Sequence, residues 1–123
     1  MADSLSEETA EQLVSTCRTA IGDELRAVTY LTPTAYEQLY VREDVERPDE
    51  PSAFVENEQL GFESQQTYGW RDLGDYRFTI RVFDQGYIGR VIVGGHGMYV
   101  ETDALTIEGF GEVAAAIESV LKE

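Results

Sequence analysis

The stretch FTIRVFDQGYIGRVIVGGHGMYVE, residues 78–101, decides the fold. Two turn signals, Asp84-Gln85-Gly86-Tyr87 and Gly94-Gly95-His96-Gly97, interrupt a run rich in β-branched and aromatic residues, so three strands are predicted over 75–83, 87–93 and 98–102. With Gln85-Gly86 as a two-residue loop, Ile80 faces Val91, Val82 faces Gly89 and Phe78 faces Val93. The other register, a type I turn with Gly86 in a bulge, sets Ile80 opposite Arg90 and mixes charge into the core. Gln suits a type I′ position poorly, but burial at about 25 cal/mol per Å² outweighs that preference. A four-residue loop from Gly94 to Gly97 then pairs Val93 with Met98, Val91 with Val100 and Arg90 with Glu101. A phosphate-cradling loop is excluded by context, because that chemistry needs a helix N-terminus to receive the anion and here a strand follows. The glycines are turn residues, and His96 is expected to be solvated at the loop tip. No Ser, Cys or second His stands in a recognisable motif, so no catalytic residue is assigned.

This phasing sorts the side chains onto two faces. One carries Phe78, Ile80, Val82, Val91, Val93, Met98 and Val100, and the two terminal amphipathic helices are expected to fill it. The other carries Arg77, Thr79, Arg81, Ile88, Arg90, Ile92, Tyr99 and Glu101, including three of the chain's eight arginines. Arginine and tyrosine beside aliphatics is the composition of an interface core. Arg77, Arg81, Ile88, Arg90, Ile92, Tyr99 and Glu101 are therefore the candidate partner-binding residues. The alternative is that the middle helices, with Tyr36, Leu39, Tyr40, Phe54 and Val55, cover this face from within.

Around this meander the pattern alternates between helix and strand. Residues 4–22 open with the capping-box pattern Ser4-Leu5-Ser6-Glu7 and place Ala10, Leu13, Val14, Cys17 and Ile21 at helical spacing. Cys17 lies on that apolar stripe as a small buried hydrophobe. Residues 24–31 alternate as a strand. Residues 33–42 are predicted as a helix, from Pro33 after Thr32 and a Thr34/Glu37 capping box, with a strand as the alternative because YEQLYV also alternates. Residues 43–50, with five carboxylates and one proline, form a solvated loop lacking the ligand spacing of a calcium site. A short helix begins near Pro51 and ends at Gly61, residues 62–68 suit an edge strand, and Trp70 sits in a connecting loop. A Thr106 cap starts the last helix, through Phe110, Val113, Ala114, Ile117, Val120 and Leu121. The fold class is α+β: an antiparallel sheet of four to five strands, N- and C-terminal helices on one face, short middle helices, and a single domain over residues 1–123.

The 123 residues carry 24 Asp and Glu against 9 basic residues, a formal charge of −15, and only Lys122 among the nine is lysine. Arginine is weakly hydrated and forks onto carboxylates, whereas lysine ends in a strongly hydrated ammonium. Such a surface suits molar salt, where the Debye length is about 3 Å and repulsion among anions is screened. The chain reads as a halophilic, cytoplasmic protein. With no basic stripe to release counterions, nucleic-acid binding is disfavoured. No apolar run approaches the ~20 residues of a spanning helix, so no membrane insertion is expected. One cysteine forms neither an intrachain disulfide nor, alone, a zinc site, and no cofactor or metal is assigned.

The order helix, strand, middle region, three antiparallel strands, helix resembles the profilin-like group that includes roadblock and longin modules, and more loosely PAS domains. Separately, GDELRAVTYLTPTAYEQLYVREDVE, FVENEQLGF and YRFTIRVFDQGYIGRVIV are similar to short acidic haloarchaeal proteins of unassigned function, some labelled transducer-like. That resemblance implies an archaeal, signalling context and carries no catalytic residues. The expected role is a non-enzymatic regulatory or scaffold module that self-associates or docks a protein partner through the Arg/Ile/Tyr face. The alternative is a PAS-like small-ligand sensor lined by Tyr36, Tyr40, Phe54 and Trp70, with arginines meeting an anionic group.

Overall fold

The computed structural model describes residues 5–45, 52–69 and 72–122. Ser4, Pro51, Trp70 and most of the predicted acidic loop lie outside them. Along the chain come α1 (Glu7–Ile21), β1 (Leu25–Leu31), β2 (Tyr36–Val41), α2 (Ser52–Gln59), α3 (Gly61–Ser64), β3 (Thr79–Phe83), β4 (Gly86–Val93), β5 (His96–Thr102) and α4 (Ile107–Leu121). The five strands form one antiparallel sheet in the order β2-β1-β5-β4-β3.

Both terminal helices start where a hydroxyl is available to an orphan backbone N–H. Ser6 caps α1 by accepting from Thr9 N at 3.1 Å, and Thr106 caps α4 by accepting from Gly109 N at 2.9 Å. The two helices pack against each other and against one face of the sheet. Leu13 and Cys17 of α1 and Phe110, Val113, Ala114, Ile117, Val120 and Leu121 of α4 join Val28, Tyr30, Val91, Met98 and Val100 in the main core. Phe78, Ile80 and Val93 pack against its margin, as expected, whereas Val82 is 73% exposed at the outer edge of the sheet. Burial pushes the Cys17 thiol up to about 12, which makes it an inert core residue.

The meander exists, with the first two-residue turn one position earlier than predicted and the second turn two residues shorter. Phe83 pairs with Gly86 and Val93 with His96, so Ile80 faces Gly89, Val91 faces Met98 and Gly89 faces Val100. Each register differs from the predicted one by two residues, which leaves the side chains of the paired residues on their predicted faces. The shorter second turn lengthens the β4–β5 ladder, and the rest is local. Asp84-Gln85 turns without a positive φ, removing the objection to Gln. In the second turn only Gly94 takes a positive φ, +59°, at the first loop position, where a II′ hairpin favours glycine.

Two predicted elements change type. Residues 36–41 are the edge strand β2 and not a helix. Thr32 Oγ1 accepts from Ala35 N at 2.9 Å and Thr32 N donates to Ala35 O, which spends the helix-start residues on a hairpin turn. Residues 61–68 are α3 followed by a 3₁₀ turn over Gln65–Tyr68 and not an edge strand, because Phe62 is needed beside Val55 on the second face of the sheet. A bulge at Val28/Thr29 also shifts the β1–β2 register, so Tyr40 turns with Val28 towards α1 while Tyr36 turns with Leu31 to the opposite face.

Candidate interaction surface

The second face of the sheet is where the arginines gather. Arg90 stands opposite Tyr99, Arg81 opposite Ile88, and α2–α3 lies across them. Ile88, Arg90 and Tyr99 are only 4%, 4% and 5% exposed, so they form a buried layer and not the open docking surface expected of them. The cover is held by α2, whose stripe at i, i+3 and i+7 presents Val55, Glu58 and, in α3, Phe62. Val55 and Phe62 pack with Leu31, Ile88 and Tyr99. Between them Glu58, 2% exposed, receives Arg81 Nε at 2.7 Å on Oε2 and Arg90 Nη1 at 3.1 Å on Oε1. Arg90 also donates from Nη2 to Thr79 Oγ1 at 3.1 Å and to Gln65 Oε1 at 3.4 Å. A Cβ on Gly61 would run into the Arg90 guanidinium, so the α2–α3 junction is seated on that group.

The other predicted partner-binding residues scatter. Arg77 lies over the Phe78 ring, 5.5 Å from its centroid, on the α4 side of the sheet and apart from Arg81 and Arg90. Ile92 is half-buried. Glu101 is half-buried beside Arg26 at 3.9 Å, and burial raises its carboxyl above the ordinary value. Burial likewise raises the Tyr99 hydroxyl. Beyond Glu101, Arg26 and Arg42 share Asp103, at 3.0 and 2.7 Å, and hydrogen bonds from these arginines hold its carboxyl below the ordinary range.

Trp70 lies outside the described residues, and the other predicted ligand-lining residues, Tyr36, Tyr40 and Phe54, lie on opposite sides of the sheet. Tyr40 is under Arg18 on the α1 side, 5.2 Å from the guanidinium, while Tyr36 and Phe54 lie on the α2 side, Phe54 against Tyr99 with centroids 5.6 Å apart. A recess of about 220 Å³ lined by Phe54, Phe83, Tyr87 and Ile88 is smaller than ordinary ligand pockets of ~300–1,000 Å³. His96 is also not a solvated tip. Its ring lies within 2.9 Å of both the Tyr30 hydroxyl, through Nδ1, and the Leu121 carbonyl, to which Nε2–H donates, tying the β4–β5 turn to the end of α4. Among the described residues no group of three or more His, Cys, Asp or Glu is placed to hold a metal ion, and no helix is long and apolar enough to cross a membrane.

Two features escaped the sequence. Glu58 is the carboxylate that organises the arginines, and its signal was its position on the apolar stripe of a short helix. The edge strand β3 exposes Val82 at 73% and Phe83 at 51%, on opposite faces of the sheet. β3 begins at Thr79 and not at 75, and those two residues close it beside the Asp84-Gln85 turn, at a corner of the sheet.

Solved structures share this architecture. The gliding protein MglB of Thermus thermophilus matches with a TM-score of 0.65 and 9% identity, over 96% of this chain and 94% of that one. MglB of Myxococcus xanthus matches at 0.63 and 8%, over 97% and 94%, and a roadblock/LC7 domain from Streptomyces avermitilis at 0.53 and 11%, over 85% and 93%. At such identities the likeness shows the fold, which is roadblock-like. No curated protein matches the chain. The model of the family described as a domain of unknown function (DUF7522) matches residues 11–122, and the chain belongs to that family.

Proposed function

We propose that this chain is a non-enzymatic protein-interaction module of a halophilic, archaeal cytoplasm, a single domain that self-associates along the free edge of β3. The observation that carries the proposal is the pair Val82 and Phe83. Edge strands are ordinarily blunted by charge, proline or a covering element, yet this one presents an aliphatic and an aromatic side chain to solvent on its two faces. Among the described residues its backbone is paired on one side only, with β4. A second copy adding its own β3 would satisfy the open ladder and cover both side chains at once. In a chain of −15 the contact must be apolar and backbone-borne, since copies of like charge gain nothing from charge attraction. The similar MglB structures include one with a tetrameric arrangement, in keeping with self-association on this fold.

The experiment is light scattering in molar KCl, on the natural chain and on a Val82→Glu, Phe83→Glu pair. The natural chain is expected to run as a dimer or higher oligomer and the double variant as a folded monomer. A natural chain that stays monomeric at high concentration refutes the proposal.

A further inference from the structure

Glu58 is a single carboxylate between two guanidinium groups, and the site it fills is under-neutralised. Arg81 gives it Nε at 2.7 Å and Nη2 at 3.3 Å, and Arg90 gives it Nη1 at 3.1 Å. The buried Nε of Arg90 has no partner among the described residues, and Arg81, 38% exposed at the side chain, reaches solvent beside the β3 edge. Buried arginines forking onto a carboxylate are a recognition geometry as well as a structural one. The cover that brings the carboxylate buries few apolar side chains. Val55 is the only fully buried one of α2, Phe62 of α3 is half-buried, Phe54 leans on Tyr99 while still 39% exposed, and Ala53 and Leu60 face outwards. Apart from Glu58, its polar ties are the Gln59 Nε2 hydrogen bonds to the Thr32 and Ala35 carbonyls, at 3.0 and 3.1 Å. A buried ion pair adds little net stability to such a cover, because desolvation offsets most of its attraction.

We propose that the sheet face of Arg81, Arg90, Ile88 and Tyr99 is a binding site for an acidic amphipathic helix of a partner protein, and that α2 occupies it as an exchangeable internal ligand. The resident helix defines the ligand: an aliphatic residue, a carboxylate one turn later, and an aromatic a further turn on, as in Val55, Glu58 and Phe62. A partner helix of that pattern supplies the same carboxylate and packs on Ile88 and Tyr99. Charge complementarity favours it, since two guanidinium groups face one carboxylate. This site is distinct from the β3 edge, and its test does not depend on oligomeric state.

Two measurements decide it. In native-state hydrogen exchange on the natural chain, amides of 55–64 should exchange on the order of 100-fold faster than those of the β4 and β5 ladders, since α2 lifts without global unfolding. Equal rates, with α2 opening only when the sheet does, overturn the proposal. The second probe is a labelled peptide of residues 52–64, followed by fluorescence anisotropy in molar KCl. It is expected to bind Glu58→Gln chain on the order of tenfold more tightly than natural chain, in which Glu58 competes. A peptide carrying the same Glu→Gln change should not bind. Exchange at the β4–β5 ladders verifies that the Glu58→Gln chain is folded, and Val55→Ser, which loosens α2 while keeping Glu58, serves if it is not. Absent or carboxylate-independent binding to folded variants overturns the proposal.

Discussion

Gly89 lies beneath the ring of Phe110, close enough that a Cβ there would overlap the aromatic carbons. Phe110 is 2% exposed and stacks edge-on against Phe78 at 5.1 Å, so the ring has nowhere to retreat. Gly89→Ala is expected to destabilise the fold by about 1–3 kcal/mol, the ordinary cost of overpacking, read as a lower denaturation midpoint with an unchanged slope. The acid response also belongs to this scale. Asp103 has its carboxyl lowered from the ordinary 3.8 by hydrogen bonds from Arg42 and Arg26, so it contributes stability that is present above 3.8 and lost as pH falls through the lowered value. Glu101 runs the other way. Burial raises its carboxyl above 4.5, so stability rises as pH falls from that raised value towards 4.5. Urea midpoints against pH should therefore climb slightly before they drop. Glu101→Gln should remove the climb, and Asp103→Asn should make the drop shallower. Curves unchanged by either substitution would refute these assignments. Neither residue was marked for this role by its neighbours in the chain, since Arg26 and Arg42 arrive through the pairing of β1 with β5 and with β2.

At the scale of elements, what was legible is what local chemistry decides. Thr106 was readable as a cap, and its Oγ1 accepts the Gly109 N–H at 2.9 Å. Thr106→Ala should cost about 1 kcal/mol, with the loss falling first on exchange protection at the start of α4. A Ser substitution should restore most of it. The face assignment of the meander was legible too, because a two-residue slip preserves alternation, while the register itself was not. The position of the first turn and the length of the second depended on whether Gly86 and Gly97 belong to loops or strands, and both belong to strands, with a Cβ on Gly97 meeting the Val91 carbonyl. The errors over 33–42 and 62–68 have one cause. Capping residues at Thr32–Glu37 and the poor alternation over Phe62–Tyr68 are local signals, and both were overruled by other parts of the fold: β1 for the first, Leu31, Val55 and Tyr99 for the second.

For the whole molecule, the two-sided burial of the sheet is what the sequence left open. The half-polar face with Arg81, Arg90, Ile88 and Tyr99 looked the same whether a partner or α2 covered it, because the deciding atom group is the Glu58 carboxylate and one glutamate among many carries no label. Charge is the property that composition does specify at this scale. With 24 acidic and 9 basic residues, repulsion acts over the full surface, and the few arginine–carboxylate contacts, such as those at Asp103, relieve only a small part of it. In dilute buffer the Debye length of about 10 Å at 0.1 M lets neighbouring carboxylates oppose the compact state, whereas near 1 M it is about 3 Å and that opposition is largely gone. The thermal midpoint should therefore rise with KCl, by about 4 °C for each kcal/mol of repulsion removed. Sucrose, which favours compactness without screening, separates the two causes. If charge repulsion is responsible, KCl should raise the midpoint well beyond what sucrose achieves, and the KCl response should weaken in a variant with several surface glutamates changed to glutamine. A midpoint that is flat in KCl would mean the acidic surface is not adapted to salt, and the halophilic assignment would fail with it.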